Sequence, residues 1–523
     1  MLHLNSFLNF RLKKADFNHL KIELKPAIMK RNLELYLTAL LFFIAACNPE
    51  QTDTQKTETE KAANLAFIQI EGNQLLLEGS EWIPKGMNVG NWLLQEDFMM
   101  HHQGTHSQMR AASARVWGHE TATHFWKTLE NEYITEADIK YLSAMGLNLI
   151  RAPFNINHFA DTQNPNEPGD FFWQKLDNLI ALCKKYDMYV LLDMHAVPGG
   201  QSPSNYADAI HGSPLFFEYK VFQEQATKFW VEIAKRYKDE PTVFGYGLLN
   251  EPNTDGKPEV LTQWLLETSR AIREVDSHHI LVVAGDDWGK ALLALEPELF
   301  EDPQVMPEVH FYPLFLNNFN RIMEYPTTIN GKKLDKEAVK KYFDNVLKPD
   351  FGRPILLGEF GTRWNEPFTE ASMKVLYDVF SILAEKNIGW SLWSYKDAGA
   401  MGFTKPKEET AWARYVYSAK MDSLKSTVKE LKKINWDNKA ETGSLHRAFL
   451  QFSPAIPDHV IHKNTEAAIR IAEGLASEAA FKLLDNPSKE QVEQLAKSFH
   501  YSNCQPQEQA VRFVEKLLSI YNQ

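Results

Sequence analysis

Cysteine is scarce. Three residues, Cys47, Cys183 and Cys504, in a chain of 523 are too few for a disulfide framework. No Cys-x-x-Cys pair and no His-Glu-x-x-His segment occurs, so a protein-bound metal has no sequence signature, and neither a metal nor any other cofactor is expected. An excess of positive charge is missing too. Against 56 Lys and Arg stand 68 Asp and Glu, a formal net charge of -12. That balance disfavours nucleic acid or an anionic membrane surface as the main partner. The amino-terminal apolar run, residues 35–46, falls short of the about 20 residues needed to span a bilayer.

What is present is a globular composition, 44% hydrophobic and 24% charged, long enough for one large domain with additions. The 13 Trp suit core packing, and at strand ends they suit stacking on the apolar C–H faces of sugar rings. Cys183 falls in an apolar helical pattern and reads as a buried thiol. Cys504 lies in a polar stretch and suggests no function.

Lys30 and Arg31 precede the apolar run and small residues end it, the layout of a secretory signal. Ala45-Ala46-Cys47 resembles a bacterial lipobox. That resemblance implies a signal over residues 29–47 with Cys47 as the lipidated first residue. The protein would then be exported across the inner membrane and lipid-anchored, in the periplasm or on the outer-membrane surface, with the anchor its sole contact with the membrane. Residues 1–28 precede this signal, so translation is expected to begin at Met29; precursor protein starting at Met1 would refute this. Residues 48–64 are Asn, Gln, Thr, Glu and Lys with few apolar side chains. They bury too little to order themselves and read as a flexible linker.

From about residue 67 the texture changes. Two short runs, 67–70 and 74–77, flank Glu71-Gly72-Asn73 and predict a small hairpin. Eight apolar runs follow, at 84–89, 147–154, 188–195, 243–251, 279–285, 305–312, 355–360 and 389–395. Amphipathic stretches at 136–145, 173–186, 222–237, 262–275, 336–347 and 369–385 lie between them. Strands alternating with helices imply a parallel sheet with right-handed crossovers, and eight such units in about 350 residues fit a (β/α)8 barrel. The expected fold is therefore α/β. A TIM barrel occupies residues 65–420, capped at its base by the hairpin, and residues 421–523 close the barrel and form a carboxy-terminal helical extension. A monomer is expected.

In such a barrel, functional groups gather at the carboxyl ends of the strands. Those ends carry Asn88, Arg151, His195, Asn250 with Glu251, Asp286 with Trp288, His310 with Tyr312, Glu359 and Trp393. Two of them share one grammar. Gly245-Tyr246-Gly247-Leu248-Leu249 leads to Asn250-Glu251-Pro252, and Pro354-Ile355-Leu356-Leu357-Gly358 leads to Glu359. Each is an apolar strand that delivers a carboxyl group to the rim of the sheet. The two glutamates are 108 residues apart in sequence (359 − 251), so only the fold can bring them to face each other across a sugar.

Lys85-Gly86-Met87-Asn88-Val89-Gly90-Asn91-Trp92, Ile150-Arg151-Ala152-Pro153-Phe154, Leu192-Asp193-Met194-His195, Leu249-Asn250-Glu251-Pro252, His310-Phe311-Tyr312 and Gly358-Glu359-Phe360-Gly361 together resemble glycoside hydrolase family 5. They occur in that family's order along residues 67–420, with the fifth strand unmatched. The opening motif and the His-x-x-Pro-Gly-Gly-Gln loop look closest to the exo-β-1,3-glucanase-like and bacterial cellulase-like branches. Ala152 and Ala196 depart from the usual pattern.

The resemblance implies a retaining glycosidase without a cofactor, with Glu251 as acid/base, Glu359 as nucleophile and a β-linked glucan or oligosaccharide as substrate. Asn250 is expected to meet the sugar 2-hydroxyl, and Arg151 and Tyr312 to hold Glu359. His195 and His310 are expected to line the subsite, and Trp393 to form its stacking floor, with Trp92 and Trp288 as further candidates. Gly199-Gly200-Gln201 has no following Lys-Ser/Thr and is no phosphate cradle. The competing reading from another class is a non-catalytic carbohydrate-binding lipoprotein on a barrel scaffold.

Overall fold

The computed structural model describes residues 65–317, 321–436 and 458–521. The expectations for the signal, Cys47 and the linker lie outside the described residues. None of the described helices is long and apolar enough to cross a membrane.

All eight apolar runs become strands of one closed barrel. They are β4 (Lys85–Asn88), β5 (Leu149–Asn155), β6 (Tyr189–Ala196), β7 (Val243–Gly247), β8 (Ile280–Ala284), β9 (Val305–Phe311), β12 (Leu356–Phe360) and β13 (Gly389–Leu392). They follow the order β12-β13-β4-β5-β6-β7-β8-β9, and neighbours pair in parallel. Every residue of β5 through β9, β12 and β13 is buried. That is why they read as continuous apolar runs: helices cover the outside and side chains fill the inside.

The six amphipathic stretches form helices between strands. Helix Pro258–Arg273 is typical. It starts with proline, whose missing N–H is unneeded there, and buries Leu261, Trp264, Leu265, Thr268 and Ile272 along one face.

At the base, β1 (Ile68–Glu71), β2 (Gln74–Leu77) and β3 (Ser80–Glu81) form a small antiparallel sheet. Ile68, Ile70 and Leu75 pack with Leu149, Tyr189, Phe244, Ile280 and Leu356, residues near the amino ends of the barrel strands. The hairpin thus plugs the end of the barrel opposite the site.

Three features depart from expectation. First, β7 ends at Gly247, not at residue 251. The backbone still runs along the wall, Leu248 N donating to Val282 O and Asn250 N to Met194 O. It then turns at Glu251, whose φ is +41°. Second, two helices, His106–Trp117 and His119–Glu132, occupy the first crossover, the former opened by a Thr105/Gln108 capping box. Third, β8 and β9 are joined by 3-10 turns at Leu292–Ala294 and Pro297–Glu301, with no long helix. A surface hairpin, β10 (Thr327–Ile329) with β11 (Lys332–Leu334), precedes helix Lys336–Val346.

The carboxy-terminal extension is built into the barrel's wall. Helix Asp458–Lys482 contacts helix His106–Trp117, Lys489–Lys497 contacts His119–Glu132, and Glu508–Tyr521 contacts Thr369–Ala384. Phe481, Val492, Phe499, Phe513 and Leu517 belong to the main core. Strand β14 (Thr404–Pro406) pairs antiparallel with β15 (Cys504–Pro506). Behind the β13 loop, buried Lys396 pairs with Asp138 at 2.6 Å and donates to the carbonyls of Tyr133 and Phe499. The extension therefore satisfies a buried cation that the barrel alone leaves short of partners. Cys183 is buried, as expected, and Cys504 is partly exposed.

Candidate active site

Arg151 is the hub. It rises from β5 with no exposed surface. Nη1 donates to Oε1 of Glu359 (2.8 Å) and to Oδ1 of Asn88 (3.0 Å); Nη2 donates to Oδ1 of Asn250 (2.9 Å). Nη2 also lies 3.1 Å from Oδ1 of Asp193 and 3.5 Å from Oε1 of Glu308. Burial works against the guanidinium's charge, but Asp193, Glu308 and Glu359 outweigh it and keep the group a cation.

The carboxyl of Glu359 is held on both oxygens, by Arg151 at Oε1 and by the Tyr312 hydroxyl at Oε2 (3.0 Å). Glu251 is held differently. Its Oε1 lies 2.7 Å from His310 Nδ1, and the same nitrogen is 3.6 Å from Oε2 of Glu359. One oxygen of each glutamate and one His310 nitrogen all lie within 4.8 Å of one another. The turn that presents Glu251 is pinned on each side. Gln201 Nε2 donates to the carbonyls of His195 (2.7 Å) and Asn250 (2.9 Å), and Trp288 N donates to Pro252 O. Gly200 must be glycine for this loop to close. Its φ is +71°, and a Cβ would lie 2.7 Å from that of Ala209.

Asn250 bridges two partners, accepting from Arg151 and lying 3.1 Å from His195 Nε2 through its amide nitrogen. His195 Nδ1 in turn lies 2.7 Å from Oδ2 of Asp193. Burial lowers the His195 pKa to about 4 and depresses that of His310. A neutral His195 that donates from Nδ1 to Asp193 and accepts at Nε2 from Asn250 satisfies every contact. Trp393 stacks on the His195 ring, with centroids 5.2 Å apart and planes at 17°.

The sequence model described as Cellulase (glycosyl hydrolase family 5) matches residues 104–399, more than half of the chain. The protein belongs to glycosyl hydrolase family 5. A beta-xylosidase of Phanerodontia chrysosporium is 27% identical over 84% of this chain and 96% of its own. Endoglucanase C of Acetivibrio thermocellus is 27% identical over 52% of this chain and 87% of its own. A probable glucan 1,3-beta-glucosidase A of Emericella nidulans is 25% identical over 44% and 57%, respectively.

In this family 5 chain, seven of the eight expected site residues (Arg151, His195, Asn250, Glu251, His310, Tyr312 and Glu359) share one set of polar contacts. The eighth, Trp393, joins through its stack on His195. Trp92 does not join. Its indole is buried in the core and donates to the carbonyl of Glu130 (2.8 Å) on the second unexpected helix. Trp288 is half-buried at the rim, with Nε1 3.3 Å from Ser204 Oγ.

Four further groups are present. Asp193 and Glu308 lie two residues before His195 and His310, so strand alternation places each pair on the same inner face. That period is the signal by which the sequence could have revealed them. Tyr206 and Glu96 come from loops and give no such signal. Tyr206 makes no hydrogen bond of good geometry, yet lies near enough to Glu251 to favour its charge. Burial, with Glu359 and other nearby acids, pushes Glu96 well above the carboxylate range, and one of its oxygens has no partner.

Burial raises Glu251, Glu359 and Glu308, and lifts Asp193 to about 6. With one guanidinium among these acids, ionising one of them makes ionising the next harder. Since burial acts on both Glu251 and Glu359, contacts decide between them. Each has a phenol nearby, Tyr312 for Glu359 and Tyr206 for Glu251. The direct ion pair with Arg151, however, belongs to Glu359 and favours the charge there, and like-charge repulsion then favours the proton on Glu251.

Proposed function

We propose that this protein is a retaining β-glycosidase acting on a β-glucan-type polysaccharide or oligosaccharide, with Glu251 as acid/base and Glu359 as nucleophile. One observation carries the reading: carboxyl oxygens of the two glutamates converge to within 4.8 Å beside one imidazole nitrogen. Retaining pairs lie about 5–5.5 Å apart, whereas inverting pairs need about 6.5–9.5 Å to admit a water. The names of the relatives, an endoglucanase, a glucan glucosidase and a xylosidase, support a β-linked substrate.

In the first step a Glu359 oxygen attacks the anomeric carbon, the glycosidic bond breaks, and the Glu251 proton passes to the leaving oxygen. Esterification removes the Glu359 charge, so Glu251 can now ionise and draw a proton from water. That water attacks the anomeric carbon and Glu359 leaves as carboxylate. Asn250, fixed by Arg151 and His195, has an amide hydrogen to offer the sugar 2-hydroxyl. Trp393, backed by His195, is the proposed floor. The lipobox-like Cys47 adds the proposal that the enzyme works from a lipid anchor outside the inner membrane.

Release of nitrophenol from aryl β-glycosides tests the assignment. Wild type should turn over and Glu359→Gln should lose at least about 1,000-fold in kcat/KM, the loss of covalent catalysis being several kcal/mol. Equal measurable rates would defeat the assignment of Glu359, and no release by either protein would favour a non-catalytic carbohydrate-binding protein.

A further inference from the structure

A cavity of about 370 Å3 adjoins the centre through Tyr312, which lines it. Its size is within the about 300–1,000 Å3 of small-ligand sites. Its walls carry Phe368, Met401 and two guanidinium groups, Arg321 and Arg363. No Asp or Glu lines it among the described residues. The Arg321 guanidinium lies 4.8 Å over the Phe368 ring. Among the described residues neither arginine donates a hydrogen bond or forms an ion pair from its side chain. Other arginines among the described residues have a carboxylate: Arg236 has Asp177, Arg270 has Glu298 and Arg273 has Asp302.

The acid whose charge Arg363 stabilises, Asp397, forms no ion pair with it among the described residues. Asp397 is fully buried, accepts from Met401 N at 3.1 Å, and is lifted by that burial to about 7. Two cations without an ion-paired carboxylate thus face one cavity in a chain of net charge -12, beside a centre crowded with carboxyl groups. Those carboxyl groups repel an anion on the sugar being cleaved. An anion one unit along the chain escapes that repulsion and meets the arginines.

We infer that the Arg321/Arg363 cavity is a subsite for an oxyanion, a uronic carboxylate or a sulfate or phosphate ester, on the sugar unit next to the one cleaved. A guanidinium fork can donate to two oxygens of any of the three, planar in the carboxylate and tetrahedral in the esters, while the partly exposed Tyr312 offers an apolar face to the ring. The substrate would then be an acidic or acid-decorated β-linked glycan. This rests on the glycosidase reading above.

The test compares one β-linked oligosaccharide in four forms: neutral, and bearing one glucuronic acid, one sulfate or one phosphate. Wild type should show kcat/KM at least about 10-fold higher on one anionic form, an effect of the size of one charge-assisted hydrogen bond. Higher salt should reduce that preference. Arg321→Gln with Arg363→Gln should erase it and leave the neutral substrate within about twofold. The preferred form identifies which oxyanion is recognised. Equal wild-type rates on all four, or a preference that survives the double substitution, overturns the inference.

Binding separates this from the glycosidase reading. Calorimetry on Glu359→Gln protein with the same four ligands should show tighter binding of an anionic form, lost when both arginines are replaced. If nothing is hydrolysed but this pattern appears, the hydrolytic reading fails and the subsite stands. Equal affinities for all four sink the subsite whatever the rates.

Discussion

Tyr312→Phe removes a single oxygen from the centre and leaves the ring in place. The phenol donates to Oε2 of Glu359 at 3.0 Å. Burial and the Glu359 charge both push its own pKa well up, so it remains a donor at any working pH. A hydrogen bond to a charged group is worth about 1.5–3 kcal/mol. Tyr312 is partly exposed, which argues for the lower figure. At about 1.4 kcal/mol per pKa unit, the carboxyl should titrate about one unit higher without the phenol.

The direction is fixed. The hydroxyl stabilises the ionised form, so losing it raises the pKa, and the ionised nucleophile is depleted from the acid side. The acidic limb of kcat/KM against pH should therefore move up by about one unit, with about 10-fold lost on that limb. The limb reports the coupled Glu251/Glu359 pair rather than one group, but both microstates feel the missing donor. A thermal melt should show the variant folded. An acidic limb within about 0.2 units of wild type would refute the claim that Tyr312 holds the charge on Glu359.

Zn2+ or Cu2+ should inhibit competitively, with reversal by chelator, because Glu251, His310 and Glu359 offer three convergent ligand atoms; indifference to both ions would show that the three do not converge in solution. Gln201→Ala breaks two buried bonds, to the carbonyls of His195 and Asn250, and should lower stability by about 2–4 kcal/mol and reduce kcat, as denaturant titration and turnover would show. Asp397 is raised by burial to about 7 from 3.8, so the folded state binds its proton more tightly than the unfolded state. Its contribution to stability is present below about pH 4 and is lost as pH rises toward 7; Asp397→Asn should flatten the pH dependence of Tm in that window, and an unchanged slope would count against it. Ending the chain at residue 457 removes Phe481, Phe499, Phe513 and Leu517 from the core and the Phe499 carbonyl from Lys396. Each large core side chain is worth about 2–5 kcal/mol, against a total stability of about 5–15 kcal/mol. The shortened chain should be insoluble or unfolded, and a soluble, active product would show the extension to be dispensable.

Parallel barrel strands are legible because burial on both faces leaves an unbroken apolar run. A polar residue at the end of such a run, as at Glu251 and Glu359, therefore stands out. The same rule hides Asp193 and Glu308, which lie inside runs and look like part of the strand. Trp92 misled for a tertiary reason. Its place after β4 suggests the rim, but its N–H finds the Glu130 carbonyl on a helix whose polar sequence, His-Glu-Thr-Ala-Thr-His, gives little helical signal. Glu96 and Tyr206 reach the centre from loops, where no period fixes direction. The pairing of β14 with β15 joins segments about 100 residues apart through three-residue strands, too short for any pattern to announce.

The decisive measurement is covalent trapping. The enzyme, incubated with a 2-fluoro analogue of an aryl β-glycoside it hydrolyses, should accumulate a sugar ester that peptide mass spectrometry locates on Glu359, with Glu251→Gln slowing both its formation and its release. A label on another residue, or turnover that yields the inverted anomer with no label, would contradict the double displacement.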